Sequence, residues 1–438
     1  MAGIANIHKI PELRNRLLFT LGILAVFRLG AHVPIPGIDS ALLTDYMGQQ
    51  GGTIFGLLNT FTGGAFNKMT IFGLGIMPYI TASIILQLLG VVIPYLEQLQ
   101  KEGELGRKKI NQNTRYLTVG LTAAQSIAVG SWLQSMKVGA APVVPEGGLL
   151  FIITTVVSLT AGTIFIMWLG ELITERGIGN GISLIIFFGI VARLPNDSAE
   201  VMTLMQSGQI SPFMVIGLAV VVVAVIAGIV FMERAQRRIP VQYPSRTVGR
   251  KMYKGVKTHL PLRINTSGVI PPIFASSLLS FPMTLTKLFP AKNDYIEWLN
   301  HALYPTSWEY NVLYGAMIIF FAFFYTAVVF NPIDVAENLK RHGGYIPGVR
   351  PGKSTSDYID SVLTRITTVG ALYLTAVCIL PSILVVSAGV SFWFGGTSVL
   401  IVVGVAMDTA QQIEAHLLAR SYDGFLGPKG AKMKGRKR

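Results

Sequence analysis

Six histidines, one cysteine and three carboxylates are the side chains that invite a chemical reading. His8, His32, His259, His301, His342 and His416 all fall in loops or near the ends of apolar runs, and no two stand at metal-ligand spacing. There is no HExxH, no phosphate-cradling P-loop and no GxSxG nucleophile elbow. "GIGNG" (Gly177, Gly179, Gly181) imitates a dinucleotide fingerprint, but it follows an apolar helical run rather than a strand and its third glycine is misplaced. Cys378 lies inside an apolar run, where a single thiol makes neither an internal disulfide nor a metal site and reads as a small buried hydrophobe. Ion coupling needs ionisable groups at membrane depth. Glu171 and Glu175 close one apolar segment and Asp408 sits toward one end of another, so all three read as helix-end residues facing headgroups or protein. The expectation is a chain with no catalytic constellation, no metal and no cofactor, and not an enzyme.

The elements that carry these residues are hydrophobic. Of 438 residues 51% are hydrophobic and 13% charged, with a mean hydropathy of +0.54. Soluble chains carry about a quarter charged residues, so the composition is that of an integral membrane protein. The N-terminal region shows no cleavable signal pattern. Ten apolar segments stand out, near 17–35, 70–93, 116–133, 149–172, 181–193, 212–232, 266–286, 311–331, 366–388 and 395–414. Three depart from a simple span. The fifth has little room between Arg176 and Arg193, the seventh carries Pro271-Pro272, and the last two are joined by the aromatic and glycine turn "SFWFGGTS". Broken helices are tolerated in a membrane where they line a cavity or pack on protein.

The net charge of +14 is a matter of topology. Thirty of the 36 Lys and Arg residues fall on one side of a ten-span arrangement, and only Arg28, Lys68, Lys137, Arg193, Lys287 and Lys292 fall on the other. That asymmetry puts both termini in the cytosol and demotes nucleic-acid binding. Two cytosolic loops are nonetheless long and basic, about 234–265 and 334–365, and the tail 420–438 is basic too.

"GGTIFGLLNTFTGGAF" (51–66) is too short to span and too apolar for an ordinary loop. As a helix it reaches about 14 Å, under half of a ~30 Å hydrocarbon core. Ile54, Leu57, Leu58 and Phe61 share one helical face, Thr53 is an N-cap candidate and Gly63 a stop. Those residues fit an amphipathic helix lying on the outer leaflet equally well. A membrane protein with broken helices, no relay and two large basic loops has the profile of a passive pore or scaffold driven by a partner. A secondary transporter shares the broken helices but needs a midplane polar site, and a membrane-embedded enzyme needs catalytic residues.

The long motifs narrow this. "GGTIFGLLNTFTGGAFNKMTIFGLGIMPYITASIILQLL" and "WLGELITERGIGNGISLIIF" resemble the two signature regions of the SecY family, the channel subunits of the bacterial protein translocon. "ERAQRRIPVQY", "THLPLRIN", "FNPIDVAENLK", "YIPGVRPGKST" and "FGGTSVLIVVGVAMD" resemble its later segments in the same order. The resemblance covers essentially the whole chain. It implies an all-α polytopic membrane fold of ten transmembrane helices. Two pseudo-symmetric five-helix halves, 1–193 and 194–438, surround a central hourglass pore with a short plug helix at about 53–62. The implied function is a protein-conducting channel in the bacterial cytoplasmic membrane. It moves unfolded secretory polypeptides across and releases transmembrane segments sideways into the lipid.

The resemblance also implies roles for particular residues. Ile76, Ile80, Ile182, Ile186, Ile273 and Ile401 map onto a pore ring, where branched alkyl groups offer water and ions no hydrogen bonds and gate by dewetting. Thr53, Ile54, Phe55, Leu57, Leu58 and Phe61 map onto the plug. Thr81, Ser83, Gln125, Asn265 and Phe281 are candidates for a lateral gate between the second and third segments and the seventh and eighth, with Pro271-Pro272 easing a bend in the seventh. Alone, Thr81, Ser83 and Gln87 read as ordinary helix packing. Arg246, Arg250, Lys251, Lys254, Lys257, Arg350 and Lys353 would dock partners: the SecA ATPase, and the ribosome through rRNA phosphates. Further implied partners are SecE and SecG subunits, signal peptides, nascent chains and anionic lipids. The chain itself would bind no nucleotide.

Overall fold

The computed structural model describes residues 11–40, 42–44, 59, 61–138, 141–208, 210–244, 246–248, 251–253, 257–288, 298, 302–304, 307–388 and 396–426. Twelve helices dominate the described residues: α1 (Pro11–Gly30), α2 (Met77–Val92), α3 (Pro94–Lys101), α4 (Glu104–Ser135), α5 (Leu149–Arg176), α6 (Gly181–Gln206), α7 (Pro212–Arg234), α8 (Ile270–Leu288), α9 (Trp308–Val329), α10 (Pro332–Arg341), α11 (Lys353–Ala388) and α12 (Gly396–Leu426). Each of the ten apolar segments overlaps a helix. Among the described residues six helices (α5, α6, α7, α9, α11 and α12) are long and apolar enough to cross a membrane, and the bent pair α2–α3 passes the same test if its two helices are taken as one span. The polytopic helical membrane fold is therefore present. α1, α4 and α8 fall short of that measure. Arg14, Arg16 and Arg28 interrupt α1, and Arg107, Lys108, Lys109 and Arg115 crowd the first third of α4.

Two compact units divide the described chain. One holds α1–α5, α6 as far as Asp197, the last two residues of α8 and α12 from Ile401 onward; the other holds the end of α6, α7, α8 as far as Thr286, α9–α11 and the start of α12.

In the first unit the bend between α2 and α3 is 105° and has a local cause. Pro94 opens α3, and Ile93 before it is forced into extended backbone (φ −96°, ψ 114°). α2 also starts later than its apolar run. Residues 70–76 form turns, with Gly75 at φ +57°, before Pro78 enters the first turn. Against α5, α4 presents Thr114, Thr118, Thr122, Ser126 and Gly130, all buried and four residues apart. Each hydroxyl donates to the carbonyl one turn back, at 2.7–2.9 Å. Spent that way, the four hydroxyls of this α4 row are each satisfied within their own helix. α6 overturns the expectation of a short fifth span. It runs on past Arg193 because that charge pairs with Asp197 at 3.2 Å one turn later. The "GIGNG" turn joins α5 to α6. Gly181 packs so tightly on the Gly170 carbonyl that a Cβ would lie 1.9 Å from that oxygen, and Asn180 caps α6 through the Ile182 and Ser183 amides. The motif is helix-turn chemistry, as its missing strand implies.

In the second unit α9 packs along α11. Pro271-Pro272 do not loosen α8. They sit in its first turn, where backbone N–H groups have no intrahelical partner to lose. The proline that removes an interior bond is Pro282. The first long basic loop is not helical. It forms an antiparallel ribbon, β3 (Gln236–Gln242) with β6 (Lys257–Arg263), extended by β4 (Arg246–Val248) with β5 (Lys251–Tyr253). A further two-stranded pair, β1 (Lys137–Val138) and β2 (Ala141–Pro142), follows α4, but in chain order precedes these.

Candidate functional site

The six ring isoleucines all stand at the N-cap or within the first two turns of their helices. Ile76 is the N-cap of α2, and the Ile80 amide donates to its carbonyl at 3.1 Å. Ile182 and Ile186 stand one turn apart at the start of α6, Ile273 in the first turn of α8, and Ile401 in the second turn of α12. All are buried except Ile182, which is half-buried and packs on Gly170 of α5.

Of the plug candidates, Thr53, Ile54, Phe55, Leu57 and Leu58 lie outside the described residues. Phe61 is buried. The chain leaving it is held by a dense local network. Arg28 of α1 donates to the Gly63 carbonyl at 2.9 Å, and the Asn59 side chain accepts from the Asn67 amide at 3.1 Å. Gly63 adopts φ +65° and meets the backbone of Gly189 on α6 so closely that an added Cβ would lie 3.0 Å from it.

The gate candidates are occupied locally. Thr81 is buried and donates to the Met77 carbonyl of its own helix at 3.1 Å. Ser83 accepts from Gln87 one turn along at 3.1 Å, and Gln125 is half-buried on α4. Asn265 corrects the expectation that it stands on the seventh span. It precedes α8, in the turn after β6, where it donates to the Glu233 carboxylate at the end of α7 and to the Gly268 carbonyl. Phe281 lies on α8.

The docking candidates belong to a folded body within the second unit. Ile239 and Val241 of β3 and Leu262 of β6 turn one face of the ribbon inward, onto Ile346 and Ile359. The other face leaves Arg238, Lys257, His259 and Arg263 exposed, and Arg237, at the end of the inward-facing row, is exposed too. Pro240 and Pro261 stand on the same ribbon, and residues that donate no ladder bond discourage a further strand from adding. The second basic loop closes on it. Asn331 caps α10 through the Ile333 amide at 3.0 Å, and the chain then returns to pair Tyr345 with Gln242. Gly348 (φ +84°) and Gly352 (φ +106°) bracket Arg350. Its carbonyl accepts from Thr355 Oγ1 at 2.8 Å, which fixes its backbone at the entrance to α11 while the side chain stays exposed beside exposed Lys353. Arg246 and Lys251 lie on the β4–β5 pair, opposite Tyr253 and Val248 respectively, and Arg250 and Lys254 fall outside the described residues. Sequence reasoning missed Arg237, Arg238, His259 and Arg263. Their signal was the alternation in "RRIPVQ" and "THLPLR", apolar at every second position, which is a strand period.

A ten-segment chain with this order of helices and loops has relatives. The SecY family model matches residues 70–410, from the turn before α2 into α12. The chain belongs to the SecY family. Protein translocase subunit SecY of Escherichia coli K12 is 50% identical over 429 residues, covering 97% of this chain and 96% of that protein. Its counterpart in Haemophilus influenzae is 49% identical over 427 residues, with the same coverage. Among solved structures, one described as a protein conducting channel aligns with a TM-score of 0.64 at 19% identity over 99% of both chains. Sec61 in a canine ribosome–channel complex aligns with a TM-score of 0.61 at 17% identity over the same share. At those identities the likeness is one of fold. The SecY match includes both basic loops and all six ring isoleucines.

Proposed function

We propose that this SecY-family chain is a protein-conducting channel. It passes unfolded polypeptides across a membrane and releases apolar segments sideways into the lipid. The observation that carries the reading is near-complete coverage, at about half identity, by proteins named translocase subunit SecY. The reading places the chain in the bacterial cytoplasmic membrane with both termini cytosolic, as the charge asymmetry argues. It divides the chain into halves at about 193/194, with a pore between them. Ile76, Ile80, Ile182, Ile186, Ile273 and Ile401 line the constriction. An alkyl ring lets an arbitrary sequence pass without specific contacts and closes to ions by excluding water. Residues 53–62 form the plug, with the Arg28–Gly63 bond as its anchor.

Energy comes from a partner. The exposed basic face of the ribbon, with Arg350 and Lys353, receives SecA or the ribosome, and the canine relative's ribosome-bound state supports the second. SecE and SecG complete the complex, and anionic lipids neutralise the remaining cytosolic charge. A signal peptide's apolar core opens the lateral gate by replacing helix contacts with its own.

The test is ion conductance of the purified complex in a planar bilayer. Deletion of 53–62 should open frequent large conductances where wild type is quiet, and serine at all six ring positions should leak persistently. Silence of both variants would overturn the channel reading.

A further inference from the structure

The hydroxyl of Tyr314 sits where four helices of the second unit meet. Tyr314 is buried on α9. Its oxygen lies 3.0 Å from Thr397 Oγ1 at the start of α12 and 3.5 Å from the Pro272 carbonyl in the first turn of α8. Cys378 of α11 is buried, and its Cα lies 3.3 Å from where a Cβ on Gly396, at the start of α12, would stand. One turn earlier on α9, Tyr310 stacks on the Tyr314 ring, with centroids 5.7 Å apart and planes at 22°. A tyrosine hydroxyl has one proton to give and can also accept: either Tyr314 donates to Thr397, or Thr397 donates to Tyr314 and the tyrosine proton is free for the Pro272 carbonyl. The surroundings are tight. A Cβ on Gly396 would lie 1.7 Å from the Val377 carbonyl oxygen, and one on Gly315 would lie 2.9 Å from Thr375 Cγ2.

The two partners have significant neighbours. Pro272 immediately precedes Ile273, and Thr397 stands one helical turn before Ile401. We propose that Tyr314 is a positioning residue for the constriction, its hydroxyl tying together the helix starts that carry Ile273 and Ile401. The inference rests on the pore reading above. Neither isoleucine can set its own place by hydrogen bonding, and an alkyl seal fails when its members separate by about the width of a water molecule. The hydroxyl supplies direction that packing alone lacks. Its loss from this buried position takes a partner from both the Thr397 hydroxyl and the Pro272 carbonyl.

The experiment records closed-state conductance of the complex carrying Tyr314→Phe, Thr397→Val, both together, and Thr397→Ser. Tyr314→Phe keeps the stacked ring. The control is Tyr373→Phe on α11, whose hydroxyl is buried with no hydrogen-bond partner among the described residues. The reference is Ile273→Ser with Ile401→Ser. Tyr314→Phe and Thr397→Val should each raise opening frequency about threefold, the equivalent of one membrane hydrogen bond of ~0.6 kcal/mol. The double variant should do no more than either alone, Thr397→Ser should restore quiet, and Tyr373→Phe should change nothing. Additive effects, or silent Tyr314→Phe and Thr397→Val variants beside a leaking serine reference, would overturn the role of Tyr314 and leave the pore reading standing. A silent serine reference would overturn both.

Discussion

Gln242 and Tyr345, 103 residues apart, exchange both backbone hydrogen bonds at 2.9 Å, and the Tyr345 hydroxyl donates to the Gln242 side chain at 3.2 Å. This pairing makes one body of two basic loops that the sequence keeps separate. It adds the chain at Tyr345 to the end of the ribbon, above the apolar cluster of Ile239, Val241, Leu262, Ile346 and Ile359. Tyr345→Pro removes one donor and strands the Gln242 carbonyl, a loss of ~1–3 kcal/mol. The membrane helices are untouched by that change. Binding of a soluble docking partner to vesicles holding the complex should weaken about tenfold, with helical content unchanged by circular dichroism. Wild-type affinity in the variant would show that the loops dock independently.

Arg350 makes a separate point. Its backbone is fixed by Thr355 and two left-handed glycines, while its guanidinium is exposed and bonded to nothing in the described ion pairs. A residue displayed at that structural expense is expected to meet an anion. Arg350→Ala should weaken ribosome binding and lower the slope of log affinity against log salt by about 1, the signature of one lost phosphate contact. Arg350→Lys should recover only part of the affinity, because a point charge does not replace a bidentate fork. An unchanged salt slope would assign Arg350 to a contact other than phosphate.

The membrane helices were legible because a span has no alternative way to satisfy its backbone in lipid, so composition alone locates it. The ends were not. The segment read as 70–93 begins as helix only at Met77, because Gly75 turns the chain, and it breaks at Pro94. The prolines at 271 and 272 read as a hinge from sequence, yet position within the first turn makes them helix starters. Arg193 read as a boundary because its counter-charge Asp197 lies beyond the apolar run that marked the span. The ribbon was hidden by its setting. A strand period in a basic loop between membrane helices carries only four inward apolar residues, Ile239, Val241, Leu260 and Leu262, too few to stand out beside twenty-residue apolar runs. For the site, sequence resemblance named Asn265 without revealing that its amide is committed to Glu233, since that partner is 32 residues earlier.

Glycines separate cleanly by what stands opposite them. Gly162 on α5 faces the Ile71 carbonyl, where a Cβ would lie 1.9 Å from the oxygen, and the same approach admits Phe72 between Phe27 and Phe165 at centroid distances of 5.8 and 6.1 Å. Gly120 on α4 faces open space. Gly162→Ala must push a backbone away and should cost about 1–3 kcal/mol. Gly120→Ala should be neutral or stabilising by up to about 1 kcal/mol. Thermal unfolding of the detergent-solubilised complex compares the two directly, and equal midpoints would mean that the α5 contact relaxes freely.

Arg115 and Glu171 form the two-pronged ion pair between α4 and α5, at 2.9 and 2.7 Å. It closes one end of the seam whose interior is the Thr114–Gly130 row, and it accounts for a carboxylate that would otherwise resemble a coupling residue. The arginine is about half exposed and the glutamate about a quarter, so solvent screens the attraction. A double-mutant cycle with Arg115→Ala and Glu171→Gln should give a coupling of about 0.5–1 kcal/mol that shrinks as salt rises. Glu171→Gln should leave transport independent of any ion gradient's direction, because the carboxylate serves packing rather than coupling. A Glu171→Gln variant that lost gradient-dependent flux while retaining its thermal midpoint would return the secondary-transporter reading to contention.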